Sequence, residues 1–557
     1  MPRNYILGLG GTGARGLESF LHLCAAGIGP DDAYVGFIDQ DAGHANLDAA
    51  KTALQRIDQL RHWLRENQAD RMTEGARPPL RTALWASDKR AHALTEHDTI
   101  AWYPAPPSAV TGNTFESIFS WRTADKDTQA LMEALFHRGR ADLDAKHSEH
   151  RMPLDLGFRG RPAIGAAVIL ARADDDADGF WKRLEDKIDE HGKDPNNPPA
   201  KVLFVSSIFG GTGAGGLPVM ARRLRRVARE KAWKIDISCV MLGPYFTYAA
   251  TDASLGLSAN PTGFNAKLRG AFQHYARAME FEKIFDRVYL AAWPGRFDFG
   301  GKPEADRNGG AEQKNPATLT DLLAGLAACH YFSSADAGSA NGTLLYGTSI
   351  EGVRVSVDDE GRRADQVMKL TWDDLPLPSG MTRDQLRGRL ATFLRFCVAY
   401  QVLFRPRLTD LAQRKPIEKE AWYRRLIAPA MKPDVQAMQM DRLRLLGEYA
   451  EGMLRWWGGI AMLESIDSDS FKDPPRALVR SGLYATRTRD EYGTTAIDVH
   501  KDFVGANPIL AFRHLAHDQA DQPDLADIFR TLAQASPGDD AQGLGRFVRA
   551  LYDACIA

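Results

Sequence analysis

Cysteine is scarce. The 557 residues hold five (Cys24, Cys239, Cys329, Cys397 and Cys555), far apart and mostly in apolar, helix-like surroundings. That spacing excludes a disulfide framework and a zinc cluster. An excess of charge is missing as well: 70 Lys and Arg stand against 72 Asp and Glu, a formal net charge of −2. Nothing marks the chain for nucleic acid or for an acidic membrane. No apolar run is long enough to span a bilayer, so no transmembrane segment is expected. The chain enters a strand pattern at once with Asn4 to Leu9, so no signal peptide is expected. A reduced, cytoplasmic protein is the expectation. Internal repeats and low-complexity tails are absent too. Hydrophobic residues at 44% and charged residues at 25% are ordinary for a globular protein, and the length allows two or three domains.

Glycine, by contrast, is concentrated. Lys201 to Leu217 reads KVLFVSSIFGGTGAGGL. The apolar run Val202 to Val205 has the character of a buried parallel strand. Gly210, Gly211, Thr212, Gly213, Ala214 and Gly215 follow, and then Leu217, Met220, Leu224 and Val227 at helical spacing. Strand, glycine loop and helix form the arrangement that holds phosphate: glycines admit the ligand to the backbone, and the amides at the helix start point at the anion. No lysine follows in the G-K-[ST] pattern, so this is not a Walker loop. A purely structural turn is the plain alternative, and five glycines in seven residues between a strand and a helix argue against it.

A similar unit opens the chain. The strand Asn4 to Leu9 runs into Gly8-Leu9-Gly10-Gly11-Thr12-Gly13, and a helix is expected from about Ala14 to Ala26. Alone this fits a dinucleotide fingerprint, with Asp39 after the next strand, Tyr34 to Ile38, placed to hold a ribose. An NAD-dependent oxidoreductase is therefore one reading, although no hydride-transfer constellation stands out. Gly157 to Gly165 is another glycine loop, and its Arg159 and Arg161 suit phosphate oxygens as well as they suit a solvated surface.

Between and beyond these loops, Leu47 to Asn67 has a helical pattern, and about 68 to 107 reads as an irregular insertion pinned by Trp85, Trp102 and Tyr103. A helix is expected from Phe115 to about Leu143 with Leu131, Leu135 and Phe136 inward, and another from Phe180 to His191. Further strands are expected at Ile235 to Leu242 and Arg287 to Trp293, with a helix from Asn265 to Phe281 between them. Ala317 to Phe332 is apolar almost all round, as a buried helix is. Residues Thr343 to Val357 alternate like a hairpin, and Lys369 to Trp372 reads as a strand. From Thr382 the pattern is mainly helical, with Trp456 and Trp457 as packing residues, helices at Pro508 to His517 and elsewhere, and one strand at Thr494 to Val499.

The order GLGGTG, DQD, GFRGRPAIG, FGGTGAGG, GPYF and GFNAKL resembles the nucleotide-binding domain of the tubulin/FtsZ superfamily, in a divergent bacterial tubulin-like branch. The likeness covers roughly residues 1–332. It implies an α/β fold with a parallel sheet flanked by helices, ending in the central helix 317–332. Connecting strands over 333–380 and a mainly helical C-terminal region, 381–557, follow. It implies GTP or GDP with Mg²⁺ as ligands. Gly10, Gly11, Thr12 and Gly13 would hold the phosphates from one side, and Gly210 to Gly215 from the other. Gly160 and its neighbours would approach the γ-phosphate, Asp41 would contact magnesium through water, and Asn265 and Asn315 would read the guanine. An asparagine suits a purine edge because it both donates and accepts; at a helix start it also serves as an N-cap.

The chain departs from the pattern in places. Phe209 stands where the signature has its first glycine, Ala214 replaces a hydroxyl residue, and the loop Ser333 to Thr343 lacks N-x-D-x-x-D. The acid that would complete a neighbouring subunit's site then falls to Asp336, Asp373 or Asp374. Self-assembly into filaments with GTP hydrolysis is the implied function. The alternative is a non-polymerising nucleotide sensor that meets partner proteins through its C-terminal helices.

Overall fold

A computed structural model describes residues 3–67, 79–85, 93–95, 100–105, 113–136, 148–155, 157–174, 179–194, 196–247, 263–292, 297–298, 310–311, 313, 315–335, 342–347, 352–354, 366–368, 375–462, 525–536 and 541–556. The chain is α/β. Strand β1 (Asn4–Leu9) leads into α1 (Gly10–Ala25), and β2 (Asp32–Ile38) into α2 (Ala45–Glu66). Two short strands, β3 (Ala83–Trp85) and β4 (Ala101–Trp102), come next. They are followed by α3 (Phe115–Ile118), α4 (Lys126–Leu135), α5 (Pro162–Arg172) and α6 (Phe180–Gly192). The second half of the sheet domain holds β5 (Ala200–Ser207), α7 (Gly211–Glu230), β6 (Ile235–Leu242), β7 (Phe246–Thr247) and α8 (Phe264–Glu282). It closes with β8 (Arg287–Ala291), β9 (Phe297–Asp298), α9 (Leu319–Ser333) and β10 (Leu344–Gly347).

The main sheet has eight strands in the order β10-β8-β6-β5-β1-β2-β3, with β4 also on β2. Every pair in it is parallel. Strands β1 and β5 adjoin in the middle, from Asn4 opposite Lys201 to Leu9 opposite Ser206. From β1 the chain crosses to β2 on one side; from β5 it crosses to β6 on the other. Strand order thus reverses between β1 and β5, and the carboxyl ends of such strands are where α/β sheets hold ligands.

The central strands are buried on both faces, so they read as continuous apolar runs rather than alternating ones. One face packs on α1, α2 and α9, the other on α5, α6, α7 and α8. Beyond β10 come α10 (Arg383–Ala399), a π-helical turn at Tyr400–Phe404, α11 (Arg405–Thr409), α12 (Leu411–Ile417), α13 (Ala421–Leu426) and α14 (Gln436–Met462). The helices Leu525–Gln534 and Gly545–Ile556 complete the described chain. This layer lies over α1, α2 and α9 and shares their hydrophobic core. Trp456 donates from Nε1 to Ser19 Oγ at 2.9 Å, and the His22 and Tyr449 rings lie 5.8 Å apart. Trp456 and Trp457 are buried packing residues, as their sequence context indicates. Among the described residues no helix is long and apolar enough to cross a membrane.

Four expectations change. Helix α1 starts at Gly10 rather than Ala14, and α7 at Gly211, so both glycine runs form first turns of helices instead of loops before them. The span 68–107 holds β3 and β4, which add to the sheet. The long helix expected from Phe115 is broken into α3, a 3-10 turn at Trp121–Thr123 and α4, and Leu131 and Leu135 face outward while Met132 and Phe136 are buried. Phe136 is thus inward as expected, while Met132 takes the buried place expected of Leu131 and Leu135. Finally, β10 pairs in parallel with β8 and not in a hairpin, whereas Gly352–Arg354 pairs antiparallel with Gln366–Met368. The expected elements at 369–372, 494–499 and 508–517 lie outside the described residues.

Candidate functional site

Gly10 has φ +71°, a left-handed value that lets β1 turn straight into α1. Neither α1 nor α7 has a capping side chain or an acid in its first turn. Their first amides therefore have no side-chain acceptor at the cap position. The two helix starts face each other across a narrow gap. A Cβ on Gly10 would lie 3.3 Å from Thr212 Cβ and 3.4 Å from Gly213 N. Two sets of helix-start amides and two helix dipoles converge there, an arrangement that attracts an anion.

Not every glycine serves that gap. A side chain on Gly13 would overlap Val205 O, and one on Gly165 would overlap Gly211 O. Gly215 meets Pro162 O in the same way, so it allows α5 to lie against α7. Gly211 adjoins Phe158, whose Cβ would be 2.6 Å from an added methyl group. The cleft itself is lined by Gly10, Gly11, Thr12, Gly210, Gly211, Thr212 and Gly213, together with Asp39, Asp41, Arg159, Gly160 and Asn315. It is a half-open cleft with a cavity volume of about 150 Å³. Gly13, Ala214, Gly215 and Arg161 are not among its lining residues.

Among the described residues of the cleft, Asp39 is a strongly perturbed acid. Its Oδ1 accepts from Gln40 N at 2.8 Å and from Thr212 Oγ1 at 3.1 Å, which ties β2 to the second glycine run. Its Oδ2 is buried without a partner. Burial raises its pKa from 3.8 to about 6. The folded protein thus binds this proton more tightly than the unfolded chain does. The cost is complete above pH 6 and is relieved as the pH falls from 6 toward 4. The gap from 3.8 to about 6 amounts to about 3 kcal/mol at neutral pH. Asp39→Asn should therefore raise the urea midpoint at pH 7 and flatten the stability profile between pH 4 and 6. An unchanged midpoint at pH 7 would show that the carboxylate is not strained.

Asp41 is occupied differently: Oδ1 accepts from Gly43 N at 3.1 Å and Oδ2 from Gly310 N at 2.6 Å. It holds the backbone that leads to Asn315. Asn315 lies four residues before α9, and the capping box there belongs to Thr318 and Asp321, so Asn315 is not the N-cap. Its Oδ1 is buried without a partner, and its N–H donates to Asn46 Oδ1 at 3.4 Å. Arg159 stands at the cleft with φ +44°. Arg161 donates instead to Glu149 Oε1 at 3.0 Å. Lys267 braces the loop from behind, donating to Gly160 O at 2.7 Å. Asn265 is the second residue of α8, next to the cleft-lining Phe264; its side chain, and all of Asp336, Asp373 and Asp374, lie outside what is described.

Sequence reasoning passed over three features of the cleft. Phe209, Phe246 and Phe264 form an apolar wall, with Phe209 4.8 Å from Phe264 and 5.8 Å from Phe246 between ring centres. Arg15 reaches from α1 to Asp321 Oδ2 at 2.5 Å, and the same carboxylate accepts from Tyr245 OH at 3.1 Å and from Thr318 N at 2.7 Å. No local signal marks that pair. His44, the third, sits at the start of α2; its place in the D-Q-D-x-x-H run was its only sign.

No family model matches the chain, and no curated protein matches it. Two solved structures are similar at 14% and 15% identity: CetZ2 from Haloferax volcanii as a GTPγS-bound protofilament and CetZ1 from the same organism as a GDP-bound monomer. Their TM-scores are 0.25 and 0.22; the matches cover 60% and 52% of this chain and 60% and 51% of theirs. The chain thus spans between half and three fifths of the length of those proteins. At this level the likeness carries no weight for function, which rests on the geometry of the cleft.

Proposed function

We propose that the chain is a tubulin/FtsZ-like nucleotide-binding protein that takes GTP or GDP between α1 and α7. One observation carries this reading: two uncapped helix starts face each other at the point where strand order reverses. A dinucleotide fold needs only the first of them. The base would lie toward the phenylalanine wall and Asn315, with Asn265 as its second reader. For Mg²⁺ the fitting group is Asp39, whose buried Oδ2 lacks a partner, while both oxygens of Asp41 already accept amides. The ion would neutralise phosphate charge. The chain's own part is to hold the phosphates with backbone amides and to exclude water with the aromatic wall.

Hydrolysis would need an acid from the next subunit, supplied by Asp336, Asp373 or Asp374, which makes assembly head-to-tail. The test uses the full chain with GTP, ATP or NAD⁺ added separately. GTP at a hundred times its dissociation constant should stabilise the protein by about 2.7 kcal/mol, with a smaller effect of ATP and NAD⁺. Light scattering should rise with GTP alone. A larger melting shift with NAD⁺ would sink the reading in favour of an oxidoreductase. A shift with GTP and no scattering at any protein concentration would leave a nucleotide sensor that acts through partners of its C-terminal helices.

A further inference from the structure

His44 is buried at the edge of the cleft, and only one of its two ring nitrogens has a structural task. It is the N-cap of α2, in extended conformation with φ −66° and ψ 120°. Its Nδ1 accepts from Asn46 N at 3.1 Å. An imidazole that accepts at Nδ1 and is neutral carries its proton on Nε2. The residue is 9% exposed and lines the cleft. The Nε2 edge of the ring is turned to the start of α1: a Cβ on Gly11 would lie 2.5 Å from Nε2 and 2.6 Å from Cε1. Gly11 is the second residue of that helix. Among the described residues, none accepts a hydrogen bond from Nε2.

We propose that His44 is a phosphate-binding residue of this cleft, its Nε2–H donating to the phosphate seated on the first turn of α1. The proposal rests on the nucleotide reading given above and adds a contact that neither glycine run supplies. The chemistry of the cleft calls for such a donor. Neither glycine run carries a lysine or arginine beside the gap, while Asp39 and Asp41 both line the same space. Of the two arginines that line the cleft, Arg15 is committed to Asp321, which leaves the helix-start amides and Arg159 to hold a phosphate against those two carboxylates. A buried N–H beside Gly11 makes an additional bond to a charged acceptor, and such bonds are the stronger ones. The cap does not explain the ring, because a short Asn or Asp would close α2 equally well. What histidine adds over those residues is the second nitrogen, and that nitrogen faces the cleft.

Two substitutions separate the tasks. The amide of an asparagine takes the place of Nδ1: His44→Asn keeps the cap and cannot reach Gly11. The longer glutamine takes the place of Nε2: His44→Gln keeps the donor and gives up the cap. Calorimetric titration with GDP, guanosine and inorganic pyrophosphate, together with a melting curve for each protein, reads both. His44→Asn should melt with the wild type and lose about tenfold or more in affinity for GDP and for pyrophosphate, with guanosine binding little changed. His44→Gln should melt earlier and hold GDP within about threefold of the wild type. Unchanged GDP affinity in His44→Asn would overturn the proposal. So would an equal loss for GDP and guanosine, or an equal loss in both variants. A wild-type protein that binds pyrophosphate but no guanine nucleotide would keep His44 at an anion site and sink the guanine reading. One that binds neither overturns both.

Discussion

Gly10→Ala is expected to lower affinity for GTP or GDP by roughly a hundredfold while costing only about 1–2 kcal/mol of stability. The added methyl group would stand 3.3 Å from Thr212 Cβ and 3.4 Å from Gly213 N, in the gap between the two helix starts. A phosphate held off that gap loses at least two hydrogen bonds to a charged group, each about 1.5–3 kcal/mol. Even at the lower bound, about 3 kcal/mol in all, two such losses correspond to roughly a hundredfold in the dissociation constant. The stability cost is the strain of alanine at φ +71°. Gly211→Val would be a poorer probe, because its side chain would strike Phe158 and displace the loop before α5. Calorimetry and urea denaturation on the Gly10 variant decide the matter. Binding within a fewfold of the wild type would mean that the ligand does not enter between α1 and α7.

Arg15→Met should be the most destabilising single change near the cleft, by about 3–5 kcal/mol, because it strands the buried charge of Asp321. Arg15 is 3% and Asp321 0% exposed, so water cannot replace the lost partner. Thr318 N, Thr318 Oγ1 and Tyr245 OH still donate to that carboxylate, but none of them is charged. Adding Asp321→Leu to the same protein should recover only part of the loss, since it removes the stranded charge but leaves Thr318 N and Tyr245 OH without their acceptor. Urea denaturation of the single and double variants checks both statements. A single variant within 1 kcal/mol of the wild type would show that the pair is solvated in solution.

The strands were legible because central parallel strands announce themselves as apolar runs: Asn4 to Leu9 and Ile235 to Leu242 are found where the sequence puts them. The helix starts were not. Glycine has low helix propensity, so a glycine run reads as a loop, yet both runs are helical: Gly13 packs on Val205, Gly211 on Phe158 and Gly215 on α5, where no side chain fits. Local preference yielded to packing. The region after Phe115 shows another limit. Apolar period placed Phe136 inward correctly but could not tell Leu131 and Leu135 from Met132, because one residue's change of phase turns the other face inward. Thr343 to Gly347 could not be recognised as an edge strand parallel to β8, since its partner lies more than fifty positions back.

The cleft was half legible for the same reason. Its glycines, Asp39 and Arg159 carry local patterns. The Arg15–Asp321 pair joins residues 306 positions apart, and no spacing rule connects them. His44 has no chemistry that its neighbours in sequence announce; only the fold brings its ring against Gly11. Asn315 was read correctly as near the start of α9, but the cap belongs to Thr318, three residues on.

The measurement that bears most directly on the cleft is amide hydrogen exchange, with and without saturating GDP. Backbone amides at Gly10 to Gly13 and at Gly210 to Gly213 should become protected together, because both helix starts are held to grip one diphosphate. Protection of the first run alone would mark a dinucleotide fold of the ordinary kind, and protection of neither would contradict a phosphate between α1 and α7.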